Sequence, residues 1–176
     1  TTGAVHSSLH STLSVLEGIT EYELNGYKYR LNELRKAKKA SIEFILLHQL
    51  YLSDRTGEII RKDFLKFSYP CRWWYDILRA LDYFQYSKTR WDERMSKAIE
   101  VILAKRNHDS TWNLAAKHLG QVHFDMERPG KRSRWNTLRA LHVLTYFGID
   151  YGANFPLRII IVWRHTIKQR FVKLEH

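Results

Sequence analysis

Five side chains of this sequence are of the types that bind zinc: His6, His10, Cys71, His123 and Asp125. Imidazole, thiolate and carboxylate groups all coordinate zinc, and the four-residue spacing of His6 and His10 places two rings on one face of a helix. No glutamate accompanies this pair as it does in a zinc protease helix, so surface or capping histidines are the alternative interpretation. The sequence therefore predicts no metal site, and His6, His10 and Cys71 are the candidate ligands if one exists.

Acid–base chemistry would have to come from isolated groups, because the sequence contains no clear paired-carboxylate constellation. The candidate catalytic residues are Asp125, Asp76 and His123, since carboxylates and imidazole are common general acids and bases. Among them, Asp125 is the carboxylate to test first. Whether the chain is catalytic is left open at this stage.

Aromatic side chains cluster where loops lead into predicted helices. Aromatic faces bind apolar chains and stabilise carbocations, so these residues could line an apolar pocket. The alternative is that they simply form the core of the fold. The expected ligand-binding residues are Trp74, Tyr75, Trp112, Phe124, Trp135 and Asn136, with Trp73 as a neighbour in the same set.

The elements that would position these side chains form an internal repeat. The segment Trp74–Phe84 is echoed sixty positions later by Arg134–Leu144, with Leu-Arg-Ala-Leu in register. A weaker third copy lies sixty-five positions before the first of these, so that Ser11, Asp76 and Asn136 are equivalent. Each copy reads as one helix, and the three polar residues are expected to cap or bridge helices.

A second set of helices alternates with the first, because Ile42–Leu46 aligns with Ile99–Leu103 at an offset of fifty-seven. A polar, turn-forming segment follows each of them, at 53–59 and at 108–112. The repeating unit is therefore predicted to be helix, turn, helix and loop.

The apolar residues of the first set follow a helical period. This holds for Ile77, Leu78, Leu81 and Phe84, and for Leu138, Leu141 and Leu144 with Thr145. The segment 155–173 is predicted to be a helix from the repeat phase, although its β-branched run would also suit a strand. Its basic residues suit either the outer face of a packed helix or a helix on a membrane surface.

Alternating helices that end in an Asp, small residue, Trp turn resemble the repeats of the α/α-toroid superfamily, which includes squalene and hopene cyclases and protein prenyltransferase β-subunits. Asp109–Trp112 carries this resemblance, with Arg106 and Ser110 where the cyclase repeat has Gln and Gly. The phrases at 6–10, 72–76 and 124–130 are most similar to bacterial prenyltransferase-repeat, or squalene-cyclase-like, proteins of unassigned activity. The resemblance covers roughly Val5 to Gly148.

The resemblance implies an all-α fold, an α/α toroid-like array of about three helical hairpins that forms a partial ring. The Leu-Arg-Ala-Leu helices would be inner, the Ile42 and Ile99 helices outer, and the pocket would lie at the centre. We expect one domain over 1–173, a fragment of a longer toroid, with 174–176 as an expression-tag remnant. The uncovered hairpin faces would then associate with a second copy or with a missing part of the chain.

The catalytic motifs of this superfamily are not found in the sequence. Its cyclases use an Asp-x-Asp-Asp acid, and its prenyltransferases bind zinc through a neighbouring Asp and Cys with a distant His, whereas Cys71 has Tyr69 two positions before it. We therefore expect a domain that binds an apolar or isoprenoid ligand without a cofactor. If the parent protein is an enzyme, it would be similar to a terpenoid cyclase or prenyltransferase.

The net charge of +11, from 29 Lys and Arg against 18 Asp and Glu, suits anionic partners. It keeps open a nucleic-acid or other polyanion-binding module, although scattered Lys and Arg usually mean a solvated surface and nucleic acid is not the expected partner. An α/α-barrel carbohydrate-active domain is a further alternative. A single cysteine allows no intramolecular disulfide, which favours the cytoplasm, with peripheral membrane contact as an option.

Overall fold

The structure is a computed structural model that describes residues 8–117, 120 and 123–151. The candidate ligand His6, the predicted helix at 155–173 and the tripeptide 174–176 lie outside these residues. Within the described part the chain is mainly helical, which confirms the predicted all-α class at that level. None of the helices described there combines the length and the hydropathy needed to cross a lipid bilayer.

The described chain forms α-helices joined by two long loops. The α-helices are α1 (Leu9–Leu24), α2 (Leu31–Leu47), α3 (Ile77–Tyr86), α4 (Ser96–Ala104) and α5 (Arg134–Tyr146), and short 3₁₀ helices occupy Lys62–Leu65 and Glu93–Met95. Two strands, β1 (Trp112–Asn113) and β2 (Arg132–Ser133), pair antiparallel with Trp112 opposite Ser133. The sequence did not predict these strands, because two residues are too few to show a period of two.

Polar side chains cap the helices of the first set, and the helices of the second set end at matching positions. Ser8, Asp76 and Ser133 each accept a hydrogen bond from the backbone N–H three residues on and so cap α1, α3 and α5. The helices α2 and α4 end at Leu47 and Ala104, which are equivalent at the offset of fifty-seven. The ends of α2 and α4 therefore agree with the predicted offset, whereas the caps do not, because Ser8 and Ser133 are equivalent to position 73, three residues before Asp76.

The predicted apolar face of α3 is confirmed, whereas that of α5 is correct only in part. Ile77, Leu78, Leu81 and Phe84 are all fully buried. In α5 the residues chosen from the sequence were Leu138, Leu141, Leu144 and Thr145, but Thr145 is exposed and the first two are half-buried. The face that is buried consists of Asn136, Arg139, Ala140, Val143 and Leu144. Hydrophobicity missed part of this face because two of its residues, Asn136 and Arg139, are polar.

The order of packing brings the first set of helices together. The helix α3 packs against α5, and it is joined to α1 by a buried hydrogen bond of 3.0 Å between the hydroxyls of Thr20 and Tyr83. The helix α2 packs against α1, and α4 packs against α3. The N-terminal ends of α1, α3 and α5 carry most of the residues selected from the sequence.

Candidate functional site

The segment that leads into α3 is anchored by Tyr75. Its phenol donates a 2.6 Å hydrogen bond to the Leu50 carbonyl, and its backbone N–H donates one of 2.8 Å to Nδ1 of His10. Tyr75 is almost completely buried. A side chain held in this way cannot line an open pocket, but it fixes the position of the indoles that precede it.

Asp76, a predicted catalytic candidate, caps α3. Its Oδ1 accepts the backbone N–H of Arg79 at 2.8 Å, and its side chain is buried. Burial raises the pKa of Asp76, while the positive charge of Arg139 works in the opposite direction. The carboxylate therefore stabilises the start of the helix and is not accessible to solvent.

Asn136, the equivalent residue of α5, is also structural. Its amide donates to the carbonyls of Phe67 and Asn113, at 3.1 and 3.2 Å, and it is fully buried. These bonds tie the loop before α3 and the strand β1 to the first turn of α5. Asp76 and Asn136 are equivalent in the repeat but differ in role, because Asp76 caps its own helix while Asn136 bonds to neighbouring segments.

The arginine of each Leu-Arg-Ala-Leu segment pairs with a carboxylate on the preceding helix of the set. The guanidinium Nε of Arg79 lies 2.9 Å from Oε1 of Glu17 on α1, and Nε of Arg139 lies 3.0 Å from Oδ2 of Asp82 on α3. Glu17 and Asp82 occupy equivalent positions, six residues after Ser11 and Asp76. The matching positions of these carboxylates in the repeat are the sequence signal for both pairs.

The two arginines are themselves largely buried, each about 8% exposed. Although burial disfavours its charge, the acidic groups around it raise the pKa of Arg139, which therefore stays protonated. Arg79 also donates to the Trp74 carbonyl at 2.7 Å. Arg79, itself paired with Glu17, therefore helps to fix the backbone that carries the two tryptophans.

Two aromatic stacks lie at the ends of the segment 69–74. The rings of Trp73 and Trp74 stack at 4.3 Å with an interplanar angle of 20°, and those of Tyr69 and Trp135 stack at 5.0 Å and 9°. Trp73 is 59% exposed, and the other three rings are half-buried. We call these four residues the aromatic surface. It contains Trp74 and Trp135 of the predicted ligand-binding set.

Cys71 lies between the two stacks in sequence. Its thiol donates to the Ser68 carbonyl at 3.2 Å. Burial, followed by the negative charge of Asp76, raises the pKa of Cys71 to about 12. The side chain is therefore a protonated thiol at neutral pH, which is unsuited to nucleophilic attack or metal binding without a large rearrangement.

His10 lies among aromatic rings instead of beside other metal-binding groups. Its ring is 5.4 Å from that of Phe64 and 5.7 Å from those of Trp73 and Trp74. Burial and then the charges of Arg61 and Arg79 lower the pKa of His10. Among the residues that the structure describes, no three His, Cys, Asp or Glu side chains are grouped so that they could hold a metal ion.

Trp112 and the segment 123–125 lie at opposite extremes of burial. Trp112 is fully buried, and its indole N–H donates to the Ile102 carbonyl at 2.7 Å, so it belongs to the core. His123 and Asp125 are exposed, and Asp125 pairs with Lys117. Phe124 is 73% exposed on the same loop.

The chain was compared with models of protein families, with curated proteins and with solved structures, and no match was found in any of the three comparisons.

Proposed function

We propose that this chain is part of an α/α toroid of the prenyltransferase and squalene-cyclase-like class, and that it binds an apolar or isoprenoid ligand at the aromatic surface. The order of packing supports the architecture. The Leu-Arg-Ala-Leu helices α3 and α5 pack together and α3 bonds to α1, while α2 and α4 each pack on one of this set. This is the packing expected if α1, α3 and α5 form an inner layer and α2 and α4 an outer one.

The equivalent ion pairs also support the architecture. In a repeat array each unit makes the same contacts with its neighbour. The pairs Arg79–Glu17 and Arg139–Asp82 meet this expectation, because both join an arginine of one unit to the same position of the preceding unit. The third unit has an exposed His142 at that position.

The aromatic surface is the observation that carries the proposed ligand. A tryptophan that is 59% exposed and already stacked on a second indole presents apolar area that a bound ligand would remove from water. The backbone beneath is held by the bonds of Tyr75 and Arg79, so little ordering cost accompanies binding. Flat indole faces also suit the alkene units of an isoprenoid chain.

Binding is testable by thermal unfolding in the presence of farnesol, geranylgeraniol and their diphosphates. A ligand at about one hundred times its Kd stabilises the folded state by about 2.7 kcal/mol, which corresponds to a rise in Tm of roughly 5–10 °C for a chain of this size. We expect this rise for the wild type and its loss in Trp73→Ala, because Trp73 is the exposed member of its stack.

Tyr27→Ala is the matched control, because Tyr27 is also 59% exposed and packs on a second ring, that of Tyr22, outside the aromatic surface, so its replacement should leave the rise in Tm unchanged. Trp73 is exposed enough that its removal should cost little stability without ligand. The proposed function would be rejected if none of these ligands raised the Tm of the wild type, or if Trp73→Ala retained the full rise.

A further inference from the structure

We infer that a groove between α2 and the loop after α3 is a separate binding site, and that it takes a nucleotide. The groove has a volume of about 420 Å³. One wall is the face of α2 between Arg35 and Leu46, and the other is formed by residues 89–92 with Arg94. Small-molecule sites commonly have volumes of about 300–1,000 Å³, so one nucleotide matches the space.

The wall formed by α2 is divided into a cationic half and an apolar half. Lys38 and Lys39 lie on it, followed one turn later by Ile42 and two turns later by Leu46. Residues three, four and seven positions apart share one face of a helix, so the division follows directly from the sequence. A ligand that fits must be charged at one end and apolar at the other.

Three of the five cationic side chains in the groove are already neutralised by carboxylates. These pairs are Arg35 and Lys38 with Glu23, at 2.7 and 3.2 Å, and Arg94 with Glu43 and Asp92, at 2.6 and 2.8 Å. Their charges are satisfied within the protein. They shape the groove but leave little charge for a ligand.

The other two cations, Lys39 and Arg90, are exposed and lie on opposite walls. Neither forms an ion pair with any carboxylate of the described residues. Two uncommitted cations that face one groove provide a site for an anion with several oxygens, and phosphate groups have this geometry.

Trp91 supplies a flat wall that is fixed in place. Its indole N–H donates to Glu93 at 2.9 Å, and its ring meets the edge of Phe147 at 5.6 Å. The loop that carries it is held by a 3.1 Å bond from the Tyr146 phenol to the Thr89 carbonyl. A preorganised indole beside Ile42 suits a planar ring, because a stacking partner ordered in advance costs little on binding.

Phosphate at Lys39 and Arg90 together with a base at Trp91 and Ile42 is the chemistry of a nucleotide. A free nucleotide and a nucleotide within a single strand both have these groups. Titrations with free nucleotides and with an oligonucleotide distinguish the two.

The experiment is a calorimetric titration of the full chain with ATP, with AMP, with an oligodeoxythymidylate and with tripolyphosphate. The test variant is Lys39→Gln with Arg90→Gln. The matched control is Lys36→Gln with Arg55→Gln, which removes the same two charges from exposed residues outside the groove. All four side chains are exposed, so both double variants should fold as the wild type does.

We expect ATP or the oligonucleotide to bind, and the test variant to bind at least roughly tenfold more weakly for each cation removed, while the control stays within about twofold. Tripolyphosphate should bind roughly tenfold more weakly than ATP, because it lacks a base to stack. Binding of the oligonucleotide alone would place the nucleotide within a strand. Absence of binding to all nucleotide probes, an equal loss in the control, or equal affinity for tripolyphosphate would overturn the inference.

Discussion

Replacing Arg139 with methionine tests whether the paired arginines hold the helices together. Methionine has a similar length and keeps the apolar packing of the side chain, but it removes the charge that Asp82 faces at 3.0 Å. Breaking a buried ion pair typically costs about 3–5 kcal/mol, because the remaining charge is left without a partner. The Asp82 side chain is 32% exposed and can regain some water, so we expect a loss of about 2–3 kcal/mol in the free energy of unfolding.

The loss is measurable by urea unfolding followed by far-UV circular dichroism at pH 7. Arg94→Met is the matched control, because Arg94 also pairs with carboxylates but in a more exposed setting, with 61% of the Glu43 side chain accessible. Exposed pairs are worth at most about 1 kcal/mol. The control should therefore cost clearly less than Arg139→Met.

A double-mutant cycle with Asp82→Asn isolates the pair itself. Because the double variant leaves neither charge uncompensated, we expect its loss in the free energy of unfolding to be about 1–2 kcal/mol smaller than the sum of the two single losses. Additive losses, or a cost of Arg139→Met no greater than that of Arg94→Met, would refute a structural role for the pair.

Three further results are expected. Since the pKa of His10 is lowered from its ordinary 6.5, its contribution to stability is present above that pH and is lost as the pH falls. The free energy of unfolding in urea should therefore decline between pH 7 and 5, and the decline should be smaller in His10→Asn, whose Oδ1 can still accept the Tyr75 N–H. The same decline in both proteins would argue against this role of His10. With a pKa of about 12, Cys71 should react with iodoacetamide at pH 8 roughly a hundredfold more slowly than free cysteine and normally in urea, and fast labelling of the folded chain would contradict the raised pKa. Trp112→Phe removes the hydrogen bond from the indole to the Ile102 carbonyl and leaves a void, so the free energy of unfolding should fall by about 3 kcal/mol. A fall of less than about 1 kcal/mol would show that the core tolerates the loss.

The helical part of the fold was predictable because long periodic segments carry their own signal. In α3 most of the buried residues are apolar, so hydrophobicity alone identifies the correct face. In α5 it does not, because Asn136 and Arg139 occupy the buried face and form hydrogen bonds there. The equivalence with α3 would not have corrected this choice, because Leu78 and Leu81 are fully buried while their equivalents Leu138 and Leu141 are only half-buried.

The candidate site was predictable only in part, because residue type does not distinguish a core tryptophan from one that faces solvent. Trp112 and Trp74 follow similar patterns in the sequence, yet the first is fully buried while the second is stacked beneath an exposed neighbour. Their surroundings come from the loops, whose backbone has no period. Partners such as Leu50 for Tyr75 are distant in sequence and could not be inferred from local spacing.

The most direct test of the proposed ligand site is the response of the tryptophan indole N–H signals in a ¹H–¹⁵N correlation spectrum during titration with farnesol. The signals can be assigned with single Trp→Phe variants, and Trp112 serves as an internal reference because it is fully buried. We predict that the signals of Trp73, Trp74 and Trp135 shift in a saturable manner while that of Trp112 does not. Unchanged spectra, or shifts of Trp112 as large as those of Trp73, would contradict binding at the aromatic surface.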